Sequence, residues 1–180
     1  MLWDGAVISW DEALCLVRNT SRYDHVLMVS AIMEKLARKL GESVQEWGLV
    51  GLLHDLDYDE IGGDMSRHGV VAAEKLKGKL PEHCLYAIKA HDYRTGFKPR
   101  SRFDKILIAV DTVTIVIEKS RKTVKQIDAA VLLEEVERAS IRQPGVKKNV
   151  LICEEIGLEL GEFLELCLGT TRKADDIADF

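Results

Sequence analysis

The four cysteines of this chain, Cys15, Cys84, Cys153 and Cys167, are widely separated and form no C-x-x-C pair. Three lie inside apolar helical patterns, where cysteine behaves as a small hydrophobe. Reduced core thiols of a cytoplasmic protein are therefore expected, and zinc-finger and disulfide frameworks are disfavoured. No apolar run reaches the ~18 residues of a membrane span. Met1-Leu2-Trp3-Asp4 offers neither a basic region nor a cleavable apolar stretch, so no signal peptide is expected. Positive charge is also in short supply. The formal net charge is −5 and the pI is near 5.6, so no bulk basic field exists to hold nucleic acid. A local basic patch for a small anionic ligand stays open. Internal repeats and low-complexity segments are missing too.

What is present describes an ordinary globular chain. Its 180 residues are 47% apolar and 31% charged, which suits one compact domain over residues 1–180 with a single large core. The patterning is helical almost throughout. Ser9 with Glu12 has capping-box spacing and opens a short helix through about Arg18. A longer helix runs from about Arg22 to Leu40, with Gly41 as its stop, and Ser43 with Glu46 repeats the capping signal before Val44–Leu53. The acidic stretch 55–64 reads as a loop. Ser66 is expected to cap a helix through about Lys79, and Pro81 to begin the next, ending near His91. Ser101 with Asp104 opens a helix through Asp111. Nine of the twelve residues from Ile106 to Ile117 are β-branched, which favours a strand, but a single strand in an all-α pattern has nothing to pair with, so helix is retained. Further helices follow, including an apolar stretch from Val150 to Leu168 that could finish the core or make a homodimer face. The polar tail after Gly169 is expected to fray.

Ionisable residues stand in or beside the apolar runs. His25 shares a stripe with Val29, Ile32, Leu36 and Leu40, the inward face of an amphipathic helix. His54-Asp55 ends the apolar run Trp47–Leu53. Asp111 interrupts Ile106–Val110 and Thr112–Ile117, with no lysine or arginine close in sequence to neutralise it. A carboxylate in such a place is usually neutralised, paired with a cation or bound to a metal. His68 and His91 complete a candidate set. His91-Asp92 is a second His-Asp dipeptide, but Asp92 leads into a polar loop, so His54-Asp55 is preferred. His83 is left as an ordinary surface residue.

The order H…HD…H…H…D, set in helices, resembles the HD superfamily of metal-dependent phosphohydrolases. The local wording Gly51-Leu52-Leu53-His54-Asp55-Leu56-Asp57-Tyr58, Arg67-His68-Gly69 and Ala87-Ile88-Lys89-Ala90-His91 is similar to its short stand-alone hydrolases. The likeness is strongest over about residues 20–120 and looser across 121–180. It implies an all-α helical bundle with the metal centre in its core. His25, His54, Asp55 and Asp111 would bind a first metal. Asp55 would bridge to a second, held also by His68 and His91, and His54 and Asp55 would carry the catalysis. One or two divalent ions are expected, drawn from Mn, Fe, Co, Ni, Zn or Mg.

The lysine that often follows the pair as HDxGK is absent; Asp57, Asp59 and Glu60 stand there, read as solvated loop carboxylates. Between His91 and Asp111 lies a basic loop in which Arg94, Lys98 and Arg100 could cradle phosphate, and Tyr93 and Phe97 could stack on a base or pack in the core. The expected activity is hydrolysis of a phosphoester or phosphoanhydride in a small molecule, nucleotides being the leading class. An HD-type di-iron oxygenase and a non-catalytic metal- or nucleotide-binding module are the alternatives.

Overall fold

A computed structural model describes residues 8–178, with side chains through Arg172. Met1-Leu2-Trp3-Asp4 lies outside them. The described residues are all-α, without a named strand. Helices α1 (Trp10–Val17), α2 (Tyr23–Leu40) and α3 (Val44–Leu53) are followed by α4 (Val70–Lys75), α5 (Glu82–Ala90) and α6 (Arg102–Lys119). Then come α7 (Ala129–Arg142), α8 (Gly145–Leu151) and α9 (Leu160–Ala178).

Local chemistry explains most boundaries. Ser9 and Glu12 close a reciprocal capping box at α1, as do Ser101 and Asp104 at α6. At α3, Ser43 accepts from the Glu46 amide. Gly41, at φ 71°, ends α2 in the left-handed region that glycine enters without steric cost. The β-branched run of α6 stays helical to Lys119. Leu107, Val110, Val113 and Val116 are buried on α6, and tertiary burial outweighs the weak intrinsic preference for a strand.

Three expectations fail. Ser66 does not cap a helix running through Lys79. Asp64 instead caps a single 3-10 turn, Met65–Arg67. Gly69 at φ 77° redirects the chain, and α4 starts at Val70 and stops at Lys75. Val150–Leu168 is not one helix. Its residues are split between α8 and α9 by turns that include Gly157 at φ 85°. The tail does not leave the helix at Gly169, because α9 continues to Ala178.

The core is one connected cluster. Helix α2 packs on α3, α6 and α9, while α6 also meets α5, α7, α8 and α9. Cys84, Cys153 and Cys167 are buried, as expected, and Cys15 is exposed. Among the described residues, no helix is long and apolar enough to cross a membrane. Gly51 lets α3 lie against α2: a Cβ there would come 2.8 Å from the Ser30 Cα, a contact backbone cannot relieve cheaply.

Candidate metal centre

Four helix ends and one helix interior meet at a buried spot. His25 stands in the first turn of α2, three residues after Arg22. His54 is the C-cap of α3, His91 the C-cap of α5, and His68 lies in the extended residue before Gly69. Asp111 projects from the middle of α6 and keeps a side-chain exposure of 14%. The four histidines and Asp55 are all at least 95% buried.

Each imidazole is oriented through Nδ1. His54 Nδ1–H donates to Gly51 O at 2.8 Å and His91 Nδ1–H to Ile88 O at 2.6 Å. His25 Nδ1 meets Glu118 Oε1 at 2.8 Å, and His68 Nδ1 meets Asp57 Oδ1 at 3.0 Å. With those hydrogens committed, every Nε2 is the atom available for a ligand. All four point at Asp55. Its Oδ1 is 3.2 Å from His54 Nε2, 3.1 Å from His68 Nε2 and 3.5 Å from His91 Nε2. Its Oδ2 is 3.8 Å from His25 Nε2. Asp111 Oδ1 lies 3.0 Å from His25 Nε2 and 3.6 Å from His54 Nε2.

This arrangement is able to hold divalent cations. His54 Nε2 is fully buried without a hydrogen-bond partner. His68 and His91 oppose their Nε2 atoms at 3.1 Å. Two lone pairs at that distance repel, so a proton or a cation must sit between them. Two nitrogens bound at about 2.1 Å and a right angle would be about 3.0 Å apart. The ligand atoms of His25, His54 and Asp55 form one triad within 4.8 Å, and those of Asp55, His68 and His91 a second. Asp55 is common to both, which suits a bridging carboxylate. Nitrogen and carboxylate donors accept Mn, Fe, Co, Ni or Zn without choosing among them.

Three contributors escaped the sequence reading. Arg22 Nε donates to Asp55 Oδ2 at 2.9 Å, and its guanidinium covers the Tyr58 ring at 5.1 Å. Glu118, two turns beyond Asp111 on α6, orients His25. Asp57 is fully buried, contrary to its reading as a solvated carboxylate: it holds His68 and accepts the Ala72 amide at 2.9 Å. Asp59 is exposed, as expected, and caps Ser21.

The basic loop is only partly gathered here. Arg94 pairs with Asp92 and lies over the Tyr93 ring at 5.8 Å, while the Tyr58 ring lies edge-on to His68 at 5.6 Å. Arg100 is engaged elsewhere, over the Tyr86 ring at 4.1 Å, and Lys98 is exposed with its carbonyl bound to Tyr86. No contact ties either to the cluster. Tyr93 is 80% exposed and Phe97 37% exposed, so neither is a core residue. Gly69 leaves room for the second triad: a Cβ there would stand 2.3 Å from Ile88 O and 3.1 Å from the His91 ring.

Electrostatics follow the same geometry. Burial lowers the pKa of His25, but hydrogen bonds that its ring donates to Asp111 and Glu118 outweigh it and raise the value to about 9. Burial is likewise overcome at His68 by Asp55 and Asp57, which raise it to about 10. Burial raises the pKa of Asp55, yet His54, His68 and His91 hold it well below the usual carboxylate range.

Both raised histidines bind protons below about pH 9 in the cation-free chain, and a cation must displace them. Loading at pH 7.5 is therefore expected to release about two protons, with affinity rising with pH until it passes 9 to 10. The same shifts stabilise the cation-free fold fully below the unfolded value of 6.5 and lose that contribution as pH rises through 9 and then 10. Titration calorimetry in buffers of different ionisation enthalpy measures the proton count; zero release would contradict the assignment of these ligands.

The curated proteins and solved structures contain no match to the chain. A family model, the HD domain, matches residues 22–133, a span that takes in Arg22, all four clustered histidines, Asp55, Asp111 and Glu118. With well over half its length matched, the chain belongs to the HD domain family, whose members are mostly metal-dependent hydrolases.

Proposed function

We propose that this chain is a metal-dependent phosphohydrolase that cleaves a phosphoester or phosphoanhydride bond in a small molecule, with nucleotides the leading class. The observation that carries the reading is Asp55, shared by two triads of ligand atoms in one buried place. His25, His54, Asp55 and Asp111 would hold one cation, and Asp55, His68 and His91 a second. Bound cations would supply Lewis-acid polarisation of the phosphoryl oxygens and lower the pKa of water at the site.

The residues around the ligands divide the remaining work. Asp57, Glu118, Gly51 O and Ile88 O hold the four imidazoles in one tautomer, so no reorganisation is needed as substrate arrives. Arg22 keeps Asp55 oriented, and at 20% exposure it can also offer a guanidinium N–H to a phosphate oxygen. Arg94, held by Asp92 next to His91, is the second candidate for that role. Lys98 and Arg100 are weaker candidates, because Arg100 already has an aromatic partner and the Lys98 backbone is held by the same Tyr86.

The protein loaded in turn with Mn, Fe, Co, Ni or Zn should release product from a panel of nucleotides and simple phosphomonoesters, and lose that activity on chelation. Hydrolysis by none of the loaded forms would overturn the reading. Oxygen consumption by the iron-loaded form would transfer the site to oxygenase chemistry. Ligand-induced thermal stabilisation without any product would leave a binding module.

A further inference from the structure

A second group of metal-type donors lies at the opposite ends of the helices that deliver His54 and His91. Glu46 is in the first turn of α3; His83 and Cys84 are in the first turn of α5. Glu46 Oε2 is 2.8 Å from His83 Nε2, and Cys84 Sγ is 3.5 Å from the same nitrogen. The carboxylate oxygen, imidazole nitrogen and sulfur all lie within 4.8 Å of one another. Cys84 is fully buried, Glu46 mostly so at 15% side-chain exposure, and His83 reaches outward at 54%.

We infer that Glu46, His83 and Cys84 form a second, structural site for zinc or a similar thiophilic divalent cation, clamping the start of α3 to the start of α5. Sulfur and nitrogen bound tetrahedrally to zinc at about 2.3 and 2.1 Å stand about 3.6 Å apart, close to the separation already present. The three donors differ in kind, which favours zinc over magnesium or calcium. On binding, the thiol proton of Cys84 leaves to solvent as the sulfur–metal bond forms, and the exposed side beside His83 leaves the fourth position to water. Phe103, whose ring stacks on Trp47 and lies 6.2 Å from His83, walls the inner side.

The placement gives the site a purpose. Glu46 precedes His54 by eight residues, and His83 precedes His91 by the same number, about 12 Å of helix in each case. The two starts meet at Glu46 and His83, and the two ends meet at His54 and His91, whose ring centroids are 5.0 Å apart. The helices thus run side by side in the same direction. A cation at their starts fixes the register with which they present two histidines at their ends.

Cobalt(II) tests this directly, because a sulfur-to-cobalt charge-transfer band in the near ultraviolet requires a thiolate and the core centre contains none. Titration of the full chain should give that band, saturating at about one equivalent for this site and bleached by zinc. It should vanish in Cys84→Ala, persist in Cys15→Ala and Asp55→Ala, and need at least tenfold more cobalt in His83→Ala. Absence of the band from the unaltered chain overturns the site, and so does its survival in Cys84→Ala. If Cys84→Ala does not fold, the exposed His83→Ala decides: an unchanged cobalt affinity there is equally fatal.

Discussion

Asp55→Ala is expected to empty both halves of the core centre and to lower turnover by roughly 10³-fold or more, equivalent to about 4 kcal/mol of barrier. No other side chain touches as much of the site. One oxygen faces three imidazole nitrogens between 3.1 and 3.5 Å away, and the other faces Arg22 and His25. Removing it takes a member from each triad and leaves Arg22, among the described residues, with Glu118 at 3.7 Å as its ion-pair partner. Elemental analysis should find the ions lost, and added cation should no longer raise the melting temperature as it does in the unaltered chain. Asp55→Asn keeps the volume and one acceptor, so recovery of activity there would mean that Asp55 acts by shape and not by charge. Unchanged turnover in Asp55→Ala would remove the basis for the proposed reaction.

Asp57→Ala should divide the site. The carboxylate is fully buried, one oxygen on His68 Nδ1 and the other on the Ala72 amide at the start of α4. Its removal strands two buried donors, at a cost of about 1–3 kcal/mol for each unpaired group. His68 loses the partner that fixes its tautomer, and orienting partners of this kind are typically worth about 10–100-fold in metal affinity. The loss should fall on the half formed by Asp55, His68 and His91, while His25, His54 and Asp111 keep their own supports. Stoichiometry should drop from about two ions to about one, with the remaining affinity little changed. Equal weakening of both ions would show that the halves are not separable in this way.

These residues also mark where the sequence was readable. His25, His54, Asp111 and His91 could be placed because helical spacing sets them among apolar neighbours, and burial makes a charge there conspicuous. Arg22 and Glu118 obey the same spacing, one turn before His25 and two turns after Asp111. Their signal was available, but exposed-looking charges at helix ends do not ask for an explanation. Asp57 is a different case. It lies in an acidic turn with no periodicity, and the start of α4, which the chain enters through Gly69, comes down on it. The break in Val150–Leu168 was missed for a related reason: an apolar run reads as continuous until Gly157 adopts a conformation that interrupts it.

Gly69 carries a wider consequence. It has no donor atom and belongs to no helix, yet the space where its side chain would be is filled by Ile88 O, the acceptor that fixes His91. The first triad does not depend on that crossing. In the proposed two-ion centre, a larger residue at this position is expected to weaken the half formed by Asp55, His68 and His91 while leaving every ligand in the sequence.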